Sequence, residues 1–322
     1  MMPHVLGPGA AGAAVLFPGQ GSQYAGMADP WIAHPAGRAV LDQVSEAWGR
    51  DVAEVCRDEE ALATTELVQP ALFACDIAAF QVLRAEGTEF AAAAGHSLGE
   101  FAAVVAAGAV DLVPAFHVVT TRGRAMQEAS DAAPGGMTAV IGLPSQSAAE
   151  VCAIAGRGDI LELANENAPK QIVLSGSIPA IERAEELARS RGARVIRLRV
   201  AGAFHSPLMR SALKPVREAI SHLTFRDPEI AVVPNVSGRP TREPSALRDQ
   251  LSRHVISPVR WERSMRALDA AGITPFVEAG PGDVLTKLLR RIVPAATAVS
   301  VGSPEDAASL EDHWPAPRLE SA

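Results

Sequence analysis

Cysteine is scarce. The 322 residues hold only Cys56, Cys75 and Cys152, an odd number, widely spaced, with neither C-x-x-C nor histidine-pair spacing. That pattern excludes a disulfide framework and a metal site, and leaves buried structural thiols. Positive charge is also short: 29 Lys and Arg against 37 Asp and Glu give a net charge of −8. This argues against nucleic acid and against anionic membranes as partners. It does not exclude an anionic ligand held by a few well-placed arginines. Long apolar runs are missing too, since none approaches the ~20 residues needed to span a bilayer. The opening stretch, "MMPHVLGPGAAGAAVLF", lacks a basic leader and an apolar core. No secretory signal is read there, and the cytoplasm is the expected compartment.

What is present suits a compact protein, 48% hydrophobic and 20% charged. At 322 residues the chain is long for one core, which predicts a large domain with a smaller companion. Residues 1–12 and 302–322, rich in Gly, Pro and polar residues, read as mobile tails. Between them strands and helices alternate. "AAVLF" reads as a buried strand followed by the Gly-rich turn "PGQGSQ", and "LVQPALFACDIAAFQVLRAEG" as a helix closed by Gly87. "EFAAAAG" reads as a second buried strand and "LGEFAAVVAAGAV" as a buried helix. This rhythm predicts an α/β fold, a parallel sheet with helices on both faces, over 13–134 and 201–300. From 135 to 200 the order becomes β-α-β-β-α-β, which predicts an inserted ferredoxin-like subdomain.

Chemistry concentrates at "GHSLGE". A G-x-S-x-G match is short, but here it lies between an apolar strand and a helix, the context of a nucleophile elbow. Small residues at 95 and 99 permit a strained turn that exposes the Ser97 hydroxyl, and the new helix N-terminus favours a developing oxyanion. A Ser N-cap beside a chance glycine pair is the plainer alternative. Among eight histidines, His4 and His313 fall in the tails, and His34, His222 and His254 in polar helix-edge or loop contexts. His117 sits on a helix, and His96 adjoins Ser97 too closely to be its base. His205, in "VAGAFHSPLM", follows a strand on a small-residue loop and is the best candidate base. Arg122, in "TTRGRAMQ", is either a buried ion-pair member or a fork for a carboxylate ligand.

"FPGQGSQ", "QPALFA", "GHSLGE", "RGRAMQ", "NAPKQIVLSG" and "AFHSPLM" occur together, in order. From about residue 14 to 290 the chain thereby resembles the malonyl-CoA:acyl carrier protein transacylases and the related acyltransferase domains of polyketide synthases. The resemblance implies an α/β-hydrolase-like domain with a ferredoxin-like insertion. It implies Ser97 as nucleophile, His205 as general base, and the backbone amides of Gln20 and Leu98 as the oxyanion hole. Arg122 would clamp the free carboxylate of malonate, with Gln69 and Asn167 as further polar pocket residues. The histidine would be oriented by backbone carbonyls of "HVISPVRW", where Ser257 replaces the commoner Asn, rather than by an aspartate. Malonyl-CoA and an acyl carrier protein would be the partners, in fatty acid or polyketide biosynthesis, with no metal or redox cofactor and a monomeric enzyme.

Phe204, directly before His205, should fill the space of an α-methyl group and favour malonyl. The "GAFH" loop, with Gly202 where malonyl-selective polyketide domains carry His, leaves open a transferase of an unusual acyl or aminoacyl group. A carrier-protein thioesterase or acyl hydrolase would use the same Ser and His. A non-catalytic carrier-binding module is disfavoured by the presence of all three candidate groups.

Overall fold

The computed structural model describes residues 12–310. Nine strands run in chain order: β1 (Ala13–Phe17), β2 (Phe90–Gly95), β3 (Gly136–Ile141), β4 (Leu161–Ala168), β5 (Gln171–Gly176), β6 (Arg194–Arg197), β7 (Ala231–Val233), β8 (Phe276–Ala279) and β9 (Ala298–Val301). They form two sheets, ordered β7-β2-β1-β8-β9 and β4-β5-β3-β6. The first is parallel throughout, as the alternation of elements predicts. Its central strand explains why an unbroken apolar run is needed. Ala13, Val15 and Phe17 point into one core, and Ala14 and Leu16 into another on the opposite face.

The helix after β1 that matters most is Thr65–Ala85, two residues earlier than the sequence suggests, with Gly87 in the left-handed region (φ 88°) just past its end. It is long and apolar enough to cross a membrane by length and composition, yet 83% of its most apolar window is buried within the fold. The absence of a long apolar run therefore needs this correction: a core helix of spanning length is present. Gly99–Ala106 follows β2, and Leu112–Ala132 packs against Thr65–Ala85.

The second sheet is antiparallel. Helices Ser145–Gly156 and Ile178–Ser190 cover it through Val151, Ile181 and Ala184, which meet Val140, Ile172 and Leu174. Ser177 caps the second helix by accepting from the Ala180 amide. Strand β4 is tied to the larger unit by two backbone hydrogen bonds, Glu166 N–H to Val259 O and Val259 N–H to Ala164 O, both 2.8 Å.

The chain past 302 is not a loose tail as far as 310. Helix Pro304–Ala308 is capped by Ser303, and Ala307 and Leu310 are buried in the main core. Residues 1–11 and 311–322, the rest of the expected tails, lie outside the described residues.

Candidate active site

Strand β2 delivers the chain to a turn that only small residues allow. A Cβ on Gly95 would lie 1.9 Å from the Gly99 carbonyl group, and one on Gly99 would lie 2.2 Å from Phe17 O. Any larger side chain would push β1, β2 and the Gly99–Ala106 helix apart. Between these glycines Ser97 adopts φ 52°, a conformation that costs a non-glycine residue free energy unless its surroundings enforce it. The Ser N-cap alternative fails on this geometry: the residue preceding the helix is Leu98, and no side chain caps it.

His205 reaches Ser97 from a second strained position, φ 58°, with Nε2 2.8 Å from Ser97 Oγ. Its Nδ1 lies 2.9 Å from Ser257 O and 3.2 Å from His254 O. Carbonyl oxygens only accept, so Nδ1 carries the proton and Nε2 offers its lone pair to the serine hydroxyl. The Ser257 hydroxyl turns away to Arg253 O, so the orienting contact is made by the main chain and does not depend on the side chain at 257. Burial, then the nearby Arg122 charge and His96, push His205 down to about 3. It is a neutral base at physiological pH.

Arg122, on the Leu112–Ala132 helix, is 1% exposed. Nη1 donates to Gln69 Oε1 at 2.5 Å and Nη2 to Ser97 Oγ at 3.1 Å, while Nε has no partner. The guanidinium sits 5.7 Å from the Phe101 ring centroid. Burial pulls it down to about 10, so it remains charged at neutral pH. Among the described residues no carboxylate lies within ion-pair distance of it. Glu100 is the nearest compensating charge, but burial raises its carboxyl to about 8 and keeps most of it protonated. Arg122 is therefore in no direct ion pair among the described residues, Glu100 acts on it only at longer range, and its guanidinium lines the cavity.

One cavity of about 180 Å³ is lined by Gln20, Gln69, Ser97, Leu98, Arg122, Asn167, Phe204 and His205 together. All eight candidate residues thus meet. The two further polar pocket residues are themselves held by protein partners: Gln69 accepts from Arg122, and Asn167 Oδ1 lies 2.8 Å from His96 Nε2. Gly202 is outside that lining, and a Cβ there would come within 2.1 Å of Ser130 Oγ. Its identity is a packing requirement against the Leu112–Ala132 helix.

Sequence reasoning misplaced His254, whose ring is fully buried against Phe101 and His205 rather than in a polar loop. It missed Asn235, which accepts from Ser97 N–H at 2.7 Å and donates to Gly95 O at 2.6 Å. Glu100 stood within the "GHSLGE" motif, and its burial could have been suspected from the apolar helix around it. Asn235 gave no local signal, being 138 residues from Ser97.

Residues 15–309 match the acyl transferase domain family. The malonyl CoA-acyl carrier protein transacylase of Escherichia coli (strain K12) is 38% identical over 304 residues, 92% of this chain and 98% of that one. The crystal structure of the corresponding transacylase from Xanthomonas oryzae pv. oryzae is 39% identical, with TM-score 0.90 over 95% of this chain and 99% of that one. A malonyl-transacylase solved in complex with a type II polyketide synthase acyl-carrier protein is 34% identical, with TM-score 0.89 over 94% of this chain and 100% of that one.

Proposed function

The chain belongs to the acyl transferase domain family, and we propose that its Ser97, His205 and Arg122 perform malonyl transfer through a covalent serine ester. The reaction moves a malonyl group from malonyl-CoA to the phosphopantetheine thiol of an acyl carrier protein, in fatty acid or polyketide biosynthesis. The observation that carries the choice of acyl group is Arg122, a buried cation with no carboxylate of its own. A buried charge without a partner is costly, and a ligand carboxylate relieves that cost. An acyl group with no free carboxylate leaves it in place, which disfavours a simple acyl hydrolase.

The malonate carboxylate docks on Arg122, replacing the guanidinium contact with Ser97 Oγ and freeing the hydroxyl. His205 Nε2 takes the Ser97 proton as Oγ attacks the thioester carbonyl. The amides of Gln20 and Leu98 receive the oxyanion, and the imidazolium returns its proton to the departing CoA thiolate. The bound carboxylate also offsets the Arg122 charge that depresses His205, so the correct substrate strengthens the base it needs. In the second half the carrier thiol gives its proton to His205 and attacks the ester carbonyl; Ser97 Oγ leaves and takes that proton back, and the malonyl group stays on the carrier as a thioester. Every step as drawn uses side chains and amides of this chain with the two thiol substrates, and a monomer working in the cytoplasm without metal or redox cofactor is the form of the enzyme proposed. Phe204, 7% exposed and on the cavity wall, restricts the α-carbon.

The test is transfer to a holo carrier protein from a panel of acyl-CoA thioesters. Malonyl should transfer well ahead of acetyl; equal transfer of both, or release of free acid instead, contradicts the reading.

A further inference from the structure

Asn235 lies just past β7, 1% exposed, and does not line the cavity. Its carboxamide spans the elbow: Oδ1 accepts from Ser97 N–H at 2.7 Å while Nδ2 donates to Gly95 O at 2.6 Å. Its own backbone N–H donates to Glu100 Oε2 at 2.9 Å, in the first turn of the helix that leaves the elbow. On its other side His254 Nε2 stands 3.4 Å from Asn235 Oδ1 and 3.5 Å from Glu100 Oε2. The carbonyl of that same His254 accepts from His205 Nδ1. A single buried cluster therefore touches both left-handed residues of the site, Ser97 directly and His205 through a carbonyl.

Two of these contacts have opposite polarity. The bridge needs an acceptor for Ser97 N–H and a donor for Gly95 O at a fixed separation, and a neutral amide supplies both. It also occupies the Ser97 amide, which leaves the amides of Leu98 and Gln20 to receive the oxyanion.

We propose that Asn235 is a positioning residue for acyl transfer, holding Ser97 in the left-handed conformation that sets its hydroxyl between His205 Nε2 and Arg122 Nη2. The proposal rests on the reading of Ser97 as nucleophile. It predicts an unusual rescue. In Asn235→Asp a carboxylate would present an oxygen to the Gly95 carbonyl and repel it. The protonated acid would donate there and still accept from Ser97, reproducing the amide. The ionisable groups around that position are Glu100 and His254 in contact, with Arg122, His205 and His96 beyond them. His205 titrates far below this range and Glu100, raised to about 8, above it, so the wild type itself should show no such change between about pH 5 and pH 7.

The experiment is rapid-quench mass spectrometry of Ser97 malonylation by malonyl-CoA, on the full chain, from about pH 5 to pH 7. Wild type, Asn235→Ala and Asn235→Asp are compared, with rates normalised to the folded fraction from circular dichroism at each pH. Asn235→Ala should load about 100-fold more slowly at every pH, the scale of a misplaced nucleophile. Asn235→Asp should be as slow at the upper end, and its deficit should shrink by about 10-fold or more at the lower end. A deficit in Asn235→Asp that is the same at every pH, or loading within about 2-fold of wild type, would overturn the proposal. If the alanine variant does not fold, the aspartate profile alone decides. A wild type that takes no label on Ser97 would remove the underlying reading, and this proposal with it.

Discussion

The parallel sheet packs on both faces, with alternate residues of β1 entering separate cores, whereas the antiparallel sheet buries Val140, Ile172 and Leu174 under its own two helices, turns Met137, Ala164 and Val173 toward the main core, and ends in a largely exposed edge strand, Arg194–Arg197. The chemistry divides the same way. Ser97 and Arg122 stand on elements of the parallel-sheet unit, and the carbonyls that orient His205 come from residues 254 and 257 of that unit. The antiparallel sheet contributes only part of the cavity wall: Met137, Asn165, Asn167 and Val173. Groups that must meet within a few tenths of an ångström sit on the parallel-sheet unit, while the antiparallel sheet contributes only residues that shape the substrate's space. Changes on the first unit should therefore abolish or redirect chemistry, and changes on the second should adjust fit.

Removing the base should break the comparison most sharply. His205→Ala should lower the rate of malonyl loading by about 10²- to 10⁴-fold with little change in melting temperature. A loss no larger than that of Asn167→Ala would erase the distinction between the two units. Arg122→Ala comes next, because its effect depends on the substrate. The malonyl-to-acetyl loading ratio should fall by about 10- to 100-fold, the worth of charge-assisted hydrogen bonds to one carboxylate. Asn167→Ala, on the antiparallel sheet, should move both substrates alike. Equal loss of both in Arg122→Ala would make that arginine structural.

The pH dependence sharpens the same contrast. Burial and the Arg122 charge hold His205 at about 3, so the neutral, proton-accepting form persists as pH falls. Wild-type loading should be level from about pH 7, below the ionisation of Glu100 at about 8, to about pH 5, where an unperturbed imidazole would already be mostly protonated. In Arg122→Ala one cause of the depression is gone, and the acid limb of acetyl loading should move upward. An acid limb centred near 6.5 in the wild type would contradict this. The smallest effect expected is at Phe204, where Phe204→Ser should raise methylmalonyl use relative to malonyl by on the order of 1 kcal/mol, the lower end for one methyl group.

The sequence made visible whatever was local. Gly95, Ser97 and Gly99 announce the elbow because the turn's steric demands fall on adjacent residues, and the period-2 split of β1 follows from an unbroken apolar run. His205 was legible from its loop and the resemblance, although its left-handed backbone was not. What stayed hidden depended on distant partners. Asn235 is defined by Gly95 and Ser97, His254 by Phe101 and His205, and the polar stretch around His254 reads as exposed because its neighbours in sequence are. Gly202 gave no sign of its neighbour for the same reason: Ser130, which it faces, is on another element. The residues from 302 to 310 looked like tail because five residues of helix with one buried alanine give almost no periodic signal.

The central claim is that Ser97 carries the malonyl group between two thiols. Wild-type protein incubated with malonyl-CoA, freed of nucleotide and digested, should show one malonyl mass on the peptide bearing Ser97, discharged on adding holo carrier protein. Ser97→Ala should show none. A label that persists in Ser97→Ala, or one on the wild type that the carrier cannot discharge, would contradict the account.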